Sequence, residues 1–245
     1  MRDRQDAFGH AFYDYHSGIR SCMVVEREDG YIDVGNIATY FARFRDWPAH
    51  IKRAMKYVHG RVLDIGCGAG RHSLYLQEKG FDVLGTDVSP LAAKVCRLRG
   101  LKKTKVLPAT RIDVKLGVFG TILMLGNNFG LFANKKRLRW LLKRFYRITS
   151  GNATIIAESR NPYETSEPFH LQYHRFNRER GRMSGQIRLR VRYKRYAEPW
   201  YDYLMVSPSE MGILLRNTGW KIKRFIGRTK PLYTVIIEKK YAITY

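Results

Sequence analysis

Apolar positions in this chain fall into short continuous runs, separated by stretches with helical periodicity. Runs at Arg61 to Ile65, Phe81 to Thr86, Thr104 to Leu107, Gly120 to Leu125 and Ala153 to Ala157 predict strands. The last two have the unbroken apolar character of strands buried on both faces. Helices are predicted over Arg71 to Lys79 and Pro90 to Arg99, the proline suiting a first turn. A third is predicted from a cap at Asn134 to Ile148, with Leu138, Leu141, Leu142 and Phe145 on its inner face and Gly151 beyond its end. Strands that alternate with helices predict an α/β fold, a Rossmann-like, doubly wound, seven-stranded sheet.

Both ends of the chain depart from this pattern. Asn36 to Lys56 reads as a helix carrying Tyr40, Phe41, Phe44 and Trp47, preceded by an aromatic segment of mixed charge. Residues 160 to about 185 are polar. From Ile187 to Lys194 the residues alternate strictly, which predicts a strand with one apolar and one cationic face. Glu198-Pro199 then turns the chain into a returning strand, Trp200 to Val206. A β-hairpin insertion therefore precedes the last helix, Ser209 to Asn217, and strands Lys221 to Ile226 and Tyr233 to Glu238. The expected organisation is an N-terminal lid or substrate segment at 1–56, followed by a main domain at 57–245 with a basic insertion at about 160–206.

The chemistry concentrates in Val62-Leu63-Asp64-Ile65-Gly66-Cys67-Gly68-Ala69-Gly70-Arg71. A buried strand, an acid and a glycine loop opening a helix form a nucleotide-type cradle, because only glycine lets so much backbone approach a ligand. A second acid, Asp87, ends the next strand, about 20 residues past the glycines, where a carboxylate can chelate a ribose diol. The spacing G-x-G-x-G differs from the dinucleotide pattern, and Asp64 would repel a pyrophosphate. An amine and a sulfonium on a ribose-adenine frame suit these acids better, which points to S-adenosylmethionine.

The net charge of +24 adds a second theme. From Lys94 to Arg147 there are 15 Lys or Arg and one acid, Asp113. Such a surface attracts polyanions, nucleic acid above all. The cationic face of 187–194, carrying Arg188, Arg190, Arg192 and Lys194, is the expected RNA-binding stripe, with Tyr and Trp nearby for stacking. The polar N-terminus is no signal peptide, and no apolar run approaches the roughly 18 residues that span a membrane. A cytoplasmic location is expected. Cys22, Cys67 and Cys96 have neither metal nor disulfide spacing, so no metal is expected.

Asp64-Ile65-Gly66-Cys67-Gly68-Ala69-Gly70 and Asp87-Val88-Ser89-Pro90 resemble the first two motifs of class I S-adenosylmethionine-dependent methyltransferases. The resemblance implies cofactor contacts from Asp64, Gly66, Gly68, Asp87, Val88 and Leu125, with Arg71 near the cofactor carboxylate and Ile112 packing on adenine. It also implies that Asn127-Asn128-Phe129, after the fourth strand, faces the transferable methyl. There an Asn carbonyl could bond an acceptor amine and Phe129 could stack on a flipped base. The segments Glu26 to Ile32, Gly60 to His72, Ser89 to Gly100, Leu123 to Phe132, Asn177 to Tyr193 and Pro199 to Ser207 further resemble small, largely archaeal enzymes. Some of these modify ribosomal RNA at the exocyclic amine of cytidine, and that implies the same substrate here. The chain departs from the class at Thr110-Arg111-Ile112, where an acid usually holds the adenine amine, and at Gly120. Two alternatives stay open, a small-molecule N- or O-methyltransferase and a non-catalytic cofactor-binding RNA assembly factor.

Overall fold

A computed structural model describes residues 1–228 and 231–240. Strands and helices follow one another as α1 (Ala7–His16), β1 (Met23–Arg27), β2 (Ile32–Gly35), α2 (Ala49–Ala54), β3 (Val62–Ile65), α3 (Arg71–Glu78), β4 (Val83–Asp87), α4 (Pro90–Leu98), β5 (Thr104–Val106), β6 (Phe119–Met124), α5 (Lys135–Arg147), β7 (Thr149–Arg160), α6 (Pro168–Glu179), β8 (Gln186–Tyr193), β9 (Tyr196–Ala197), β10 (Tyr201–Leu204), α7 (Pro208–Leu214), β11 (Trp220–Ile226) and β12 (Leu232–Lys239). The mixed seven-stranded sheet has the order β5-β4-β3-β6-β7-β12-β11, the expected Rossmann-like arrangement. The chain forms two compact units. One holds residues 1–47, 60–112 and 188–201, the other 48–59, 113–187 and the described residues from 202 onward.

In the first unit β3, β4 and β5 run parallel, and all four residues of β3 are buried. Helix α4 starts as predicted, with Ser89 accepting a hydrogen bond from the Ala92 amide and Pro90 in the first turn. Its Ala92 and Val95 pack with Ala7, Ala11 and Phe12 of α1. The small residues at these positions allow close helix approach. The insertion is more than a hairpin, because β8 pairs antiparallel with β1, which pairs with β2. Val191 and Tyr193 of β8 thereby join the α1 core.

In the second unit β6 and β7 are parallel and β12 closes antiparallel on β7. The apolar runs at 120–125 and 153–157 are buried throughout, as their composition requires. Helix α5 buries Leu138, Leu141, Leu142 and Phe145, the predicted face, and Asn134 caps it by accepting from the Arg137 amide.

The structure departs from the sequence reading at one place and adds to it at two. The helix predicted over Asn36 to Lys56 is broken into 3-10 turns at Ile37–Phe41 and Phe44–Asp46 before α2, with Pro48 at the N-cap of α2. Its aromatics sit at helix-compatible spacing for another reason: Phe44 stacks on Tyr75 at 4.3 Å and Trp47 meets His72 edge-on at 4.8 Å. The polar stretch after Asn161 contains a helix, α6, whose Tyr173, His174 and Asn177 are buried. Its polarity hides the helical period because Asn177 is an inward residue, donating to the Ser184 and Gln186 carbonyls at 3.1 and 2.7 Å. The cationic face of β8 is not a free stripe either. Arg190 donates to both Glu26 oxygens at 2.8 and 3.2 Å, and Arg192 lies 3.6 Å from the same carboxylate. Lys194 meets Asp14 at 2.6 Å. Pairing with β1 puts Glu26 directly opposite Arg190, so acids absent from the local sequence arrive across the strands. Arg188 is exposed. Among the described residues no helix is long and apolar enough to cross a membrane, and no cluster of His, Cys, Asp and Glu could hold a metal ion.

Candidate active site

Strand β3 delivers Asp64 and then breaks into the loop Gly66–Gly70. Gly66, Gly68 and Gly70 have φ of 70°, 56° and 81°, the left-handed region that a residue with Cβ resists. The rings of Phe12 and Tyr40 lie over Gly68, in van der Waals range, about 3.5 Å, of where a Cβ would stand. The loop is therefore roofed by aromatics from α1 and the 3-10 turn at Ile37–Phe41.

The two acids occupy different places. Asp64 is 1 % exposed, and its Oδ2 accepts from the Ser73 hydroxyl at 2.6 Å. It braces the start of α3 from beneath the loop. Burial, opposed by the Ser73 bond and assisted by repulsion from Asp87, pushes its carboxyl up to about 6. Asp87, at the end of β4, accepts from the Gly68 amide at 2.9 Å through Oδ2 and from the Ser89 amide at 2.9 Å through Oδ1. A carboxylate offers about four acceptor sites, so each oxygen keeps room for a ligand hydroxyl. Burial raises its pKa as well.

Sequence reasoning missed a third acid of this unit. Glu198, 8 % exposed, accepts from the Phe8 amide at 3.4 Å, and burial together with Asp87 and Asp6 pushes it up to about 8. Nothing local in Ala197-Glu198-Pro199 signals this, since the partner lies 190 positions away. In a chain of charge +24 the glycine loop is thus surrounded by acids that burial, and their repulsion of one another, hold above their ordinary pKa. A ligand carrying cations fits that donor set, and a polyphosphate does not. Arg71 donates to the Thr39 carbonyl at 2.7 Å and lies 5.8 Å over Trp47. Ile112 is fully buried, and Val88 is 44 % exposed.

In the second unit Leu125, the residue after β6, is buried, and the chain turns at Asn127, whose φ is 63°. The Asn127 amide donates to Glu158 Oε2 at 2.8 Å. Glu158 Oε1 meets His50 Nε2 at 2.7 Å, and the Tyr203 hydroxyl donates to the Asn127 carbonyl. Gly130 leaves room for the Tyr203 ring, which an added Cβ would displace. Asn128 is half-buried. Phe129 is fully buried, its ring 4.8 Å from Phe132 and steeply tilted to it. The base-stacking role expected of it is corrected, since the 3-10 turn Asn128–Phe132 rolls the ring into the core.

Comparison with known proteins agrees with this construction. Residues 62–151 match the family model described as "Methyltransferase domain". A glycine/sarcosine N-methyltransferase of Halorhodospira halochloris is 32 % identical over 107 residues, 41 % of this chain and 40 % of that protein. A 2-heptyl-1-hydroxyquinolin-4(1H)-one methyltransferase of Mycobacteroides abscessus is 36 % identical over 74 residues, 27 % of this chain and 32 % of that protein. The chain thus spans about two fifths or less of the length of these curated relatives. Among solved structures, a SAM-dependent methyltransferase from Bacteroides fragilis in complex with S-adenosyl-L-homocysteine superposes with a TM-score of 0.82 at 23 % identity, over 98 % of this chain and 97 % of that one. The fold is that of class I SAM-dependent methyltransferases, and the match to the methyltransferase family model falls on residues 62–151, which hold the glycine loop and Asp87.

Proposed function

We propose that the chain is an enzyme that transfers the methyl group of S-adenosylmethionine to a nitrogen of a small molecule. The observation that carries this reading is the set of under-compensated acids around the glycine loop. When bound, S-adenosylmethionine supplies a sulfonium methyl for in-line displacement. Asp87 would accept hydrogen bonds from the ribose hydroxyls, while the Gly66–Gly70 backbone would pass close beneath the ligand. Asp64, held by Ser73, would supply negative charge toward the cationic groups. Arg71 would lie near the cofactor carboxylate and Ile112 would pack on adenine. The aromatics above the loop would act as its lid, and the Asn127 turn would receive the acceptor.

The choice of a small acceptor rests on two supports. The curated relatives carry the names of enzymes for glycine, sarcosine and a quinolone. The β8 cations, which would have formed a phosphate track, are already engaged by Glu26 and Asp14. Calorimetric titration with S-adenosylmethionine, followed by transfer of labelled methyl to glycine and sarcosine, tests both halves. Failure to bind the cofactor would sink the reading.

A second reading, methyl transfer to an exocyclic amine of RNA such as cytidine N4 in ribosomal RNA, is favoured by one surface. Lys135, Lys136, Arg139 and Lys143 of α5 surround Trp140, which is 42 % exposed, and no acidic partner meets these four among the described residues. Binding to a single-stranded RNA that falls steeply with salt would support this reading. Equal labelling of RNA with and without the protein would remove it.

A further inference from the structure

Seven of the 13 residues of α5 are Lys or Arg, and none is Asp or Glu. Lys135, Lys136 and Arg137 stand in its first turn, where the positive end of the helix dipole disfavours them. Lys135 and Arg139, Arg139 and Lys143, and Lys143 and Arg147 are like charges four positions apart, and each such pair weakens a helix. No acid among the described residues meets Lys135, Lys136, Arg139 or Lys143. The helix is held by what lies beneath it instead. Leu138, Leu141, Leu142 and Phe145 are buried, and the Trp220 indole donates to the Leu142 carbonyl at 3.1 Å. Lys239 donates to the Tyr146 and Thr149 carbonyls at its end, at 2.7 and 2.8 Å. Charge set against the stability of its own helix marks a face kept for an anionic partner. Trp140 stands at the middle of that face. Of the four Trp in the chain it is the exposed one, at 42 %, and the Arg144 guanidinium lies over its ring, 4.8 Å from the centroid. With Lys135, Lys136, Arg139 and Lys143 the ring lines an open groove of about 530 Å³.

We propose that this face of α5 docks single-stranded RNA, its cations pairing with phosphates while a base stacks on Trp140 in the groove. The inference goes beyond the choice of methyl acceptor, because RNA held here is a partner whether or not it is methylated. Unopposed positive charge selects a polyanion. The row of cations runs the length of the helix, about 20 Å for 13 residues, which suits several nucleotides in line and exceeds one free nucleotide. An aromatic ring among cations is a platform for unpaired bases, since every base has a π-face. A duplex stacks its bases on one another and offers that ring nothing. A lipid surface fits less well. A helix lying on a membrane buries a whole apolar face in lipid, whereas the apolar face of α5 is spent on the core and Trp140 is its one exposed apolar residue. Among cellular polymers, RNA is the one that presents unpaired bases in loops, bulges and ends.

The test uses the full chain and a fluorescently tagged single-stranded oligoadenylate, titrated by anisotropy over a series of salt concentrations. Duplex RNA, the matching DNA oligonucleotide, ATP and phosphatidylserine vesicles serve as competitors. The oligoadenylate is expected to bind, with the logarithm of the association constant falling against that of salt by about 0.7 per phosphate engaged, or roughly 3 for four cations. The double variant Lys136→Glu/Lys143→Glu weakens binding by about tenfold or more and cuts that slope by roughly 1–2. Trp140→Ala weakens binding by about 5–150-fold and leaves the slope alone, since stacking releases no counterions. RNA quenches the Trp140 fluorescence, and Trp140→Phe abolishes the quench. The charge-reversed chain melts at or above the temperature of the original, because an acid at 143 faces Arg139 and Arg147 four positions away on either side. A loss of binding in that chain is then no loss of fold. Absence of binding at low salt, equal binding by the charge-reversed chain, or tighter binding of duplex, DNA, ATP or vesicles overturns the inference. Labelled small amines without RNA binding overturn it and leave the methyl-transfer reading standing. RNA bound but never labelled keeps the inference and removes RNA as the methyl acceptor.

Discussion

The glycine loop and the Asn127 turn are both tight turns that follow a parallel strand, yet they are assembled over different distances along the chain. Around the loop the decisive bonds are short-range, nine positions for Ser73 to Asp64 and 19 for Gly68 to Asp87. Around Asn127 they span 31 positions to Glu158 and 76 to Tyr203, and Glu158 reaches 108 positions back to His50. The first turn is a local motif whose ingredients lie in one stretch of sequence. The second is a product of topology, because its partners come from a helix, a strand end and the far side of an insertion.

Removing the Asp87 carboxylate separates the two regions most sharply. Asp87→Ala loses the brace on the Gly68 amide and the expected ribose bonds, so cofactor affinity falls by about 100-fold or more in a calorimetric titration. The melting temperature of the ligand-free protein, which owes nothing to ribose, moves far less. Gly130→Ala strikes the other region. A Cβ there displaces Tyr203 and frees the Asn127 carbonyl, an overpacking cost of about 1–3 kcal/mol. That lowers the melting temperature by roughly 2–12 °C. Turnover drops in a labelled-methyl assay while cofactor affinity holds. A matching loss of affinity would mean that the two turns are not independent.

A smaller effect comes from pH. Asp64 ionises near 3.8 when exposed and at about 6 in the folded chain. Its raised pKa means that burial favours the neutral acid. The stability it contributes is full below about 3.8 and is lost as pH rises through about 6. A cationic ligand favours the ionised form and pulls the other way. Cofactor affinity therefore weakens by about tenfold between roughly pH 7.5 and 5, and binding near pH 6 releases protons, both readable by calorimetry in two buffers. An affinity independent of pH would remove Asp64 from the electrostatics of the site. The smallest change is expected at β8, where Arg190→Ala breaks a partly exposed pair with Glu26 and costs no more than about 1 kcal/mol in a denaturant titration. On the RNA reading, affinity for RNA responds instead to the exposed face of α5, through charge reversal at Lys136 and Lys143, whose cations have no acidic partner among the described residues.

The same contrast explains what the sequence reveals. Periodicity in 62–157 dictates the parallel strands and their helices because each element is buried against near neighbours, and Asp64, Gly66, Gly68 and Asp87 are legible with them. Glu198 and the Glu158–His50 pair are not, since a carboxylate in sequence says nothing about a partner more than a hundred positions away. Local reading also overstates free charge. Arg190 and Lys194 look unopposed until β1 and α1 bring Glu26 and Asp14 to them. Phe129 fails for a related reason, because a turn's handedness decides whether its aromatic faces solvent or core, and hydropathy carries no handedness.

The unit that carries the glycine loop is stitched from residues 1–47, 60–112 and 188–201. During synthesis β1 leaves the ribosome first, and its neighbour β8 follows more than 150 positions later. At about 5–20 residues per second, the interval is on the order of 10 s or more. Throughout it β1 has one side without its strand partner, and the Phe8 amide waits for Glu198. An open strand edge on a nascent chain invites pairing with other polypeptides. The glycine loop, whose own strands are already made, thus acquires its finished surroundings only after β8 and Glu198 have been made, and a chaperone that shields β1 should raise the yield of active protein.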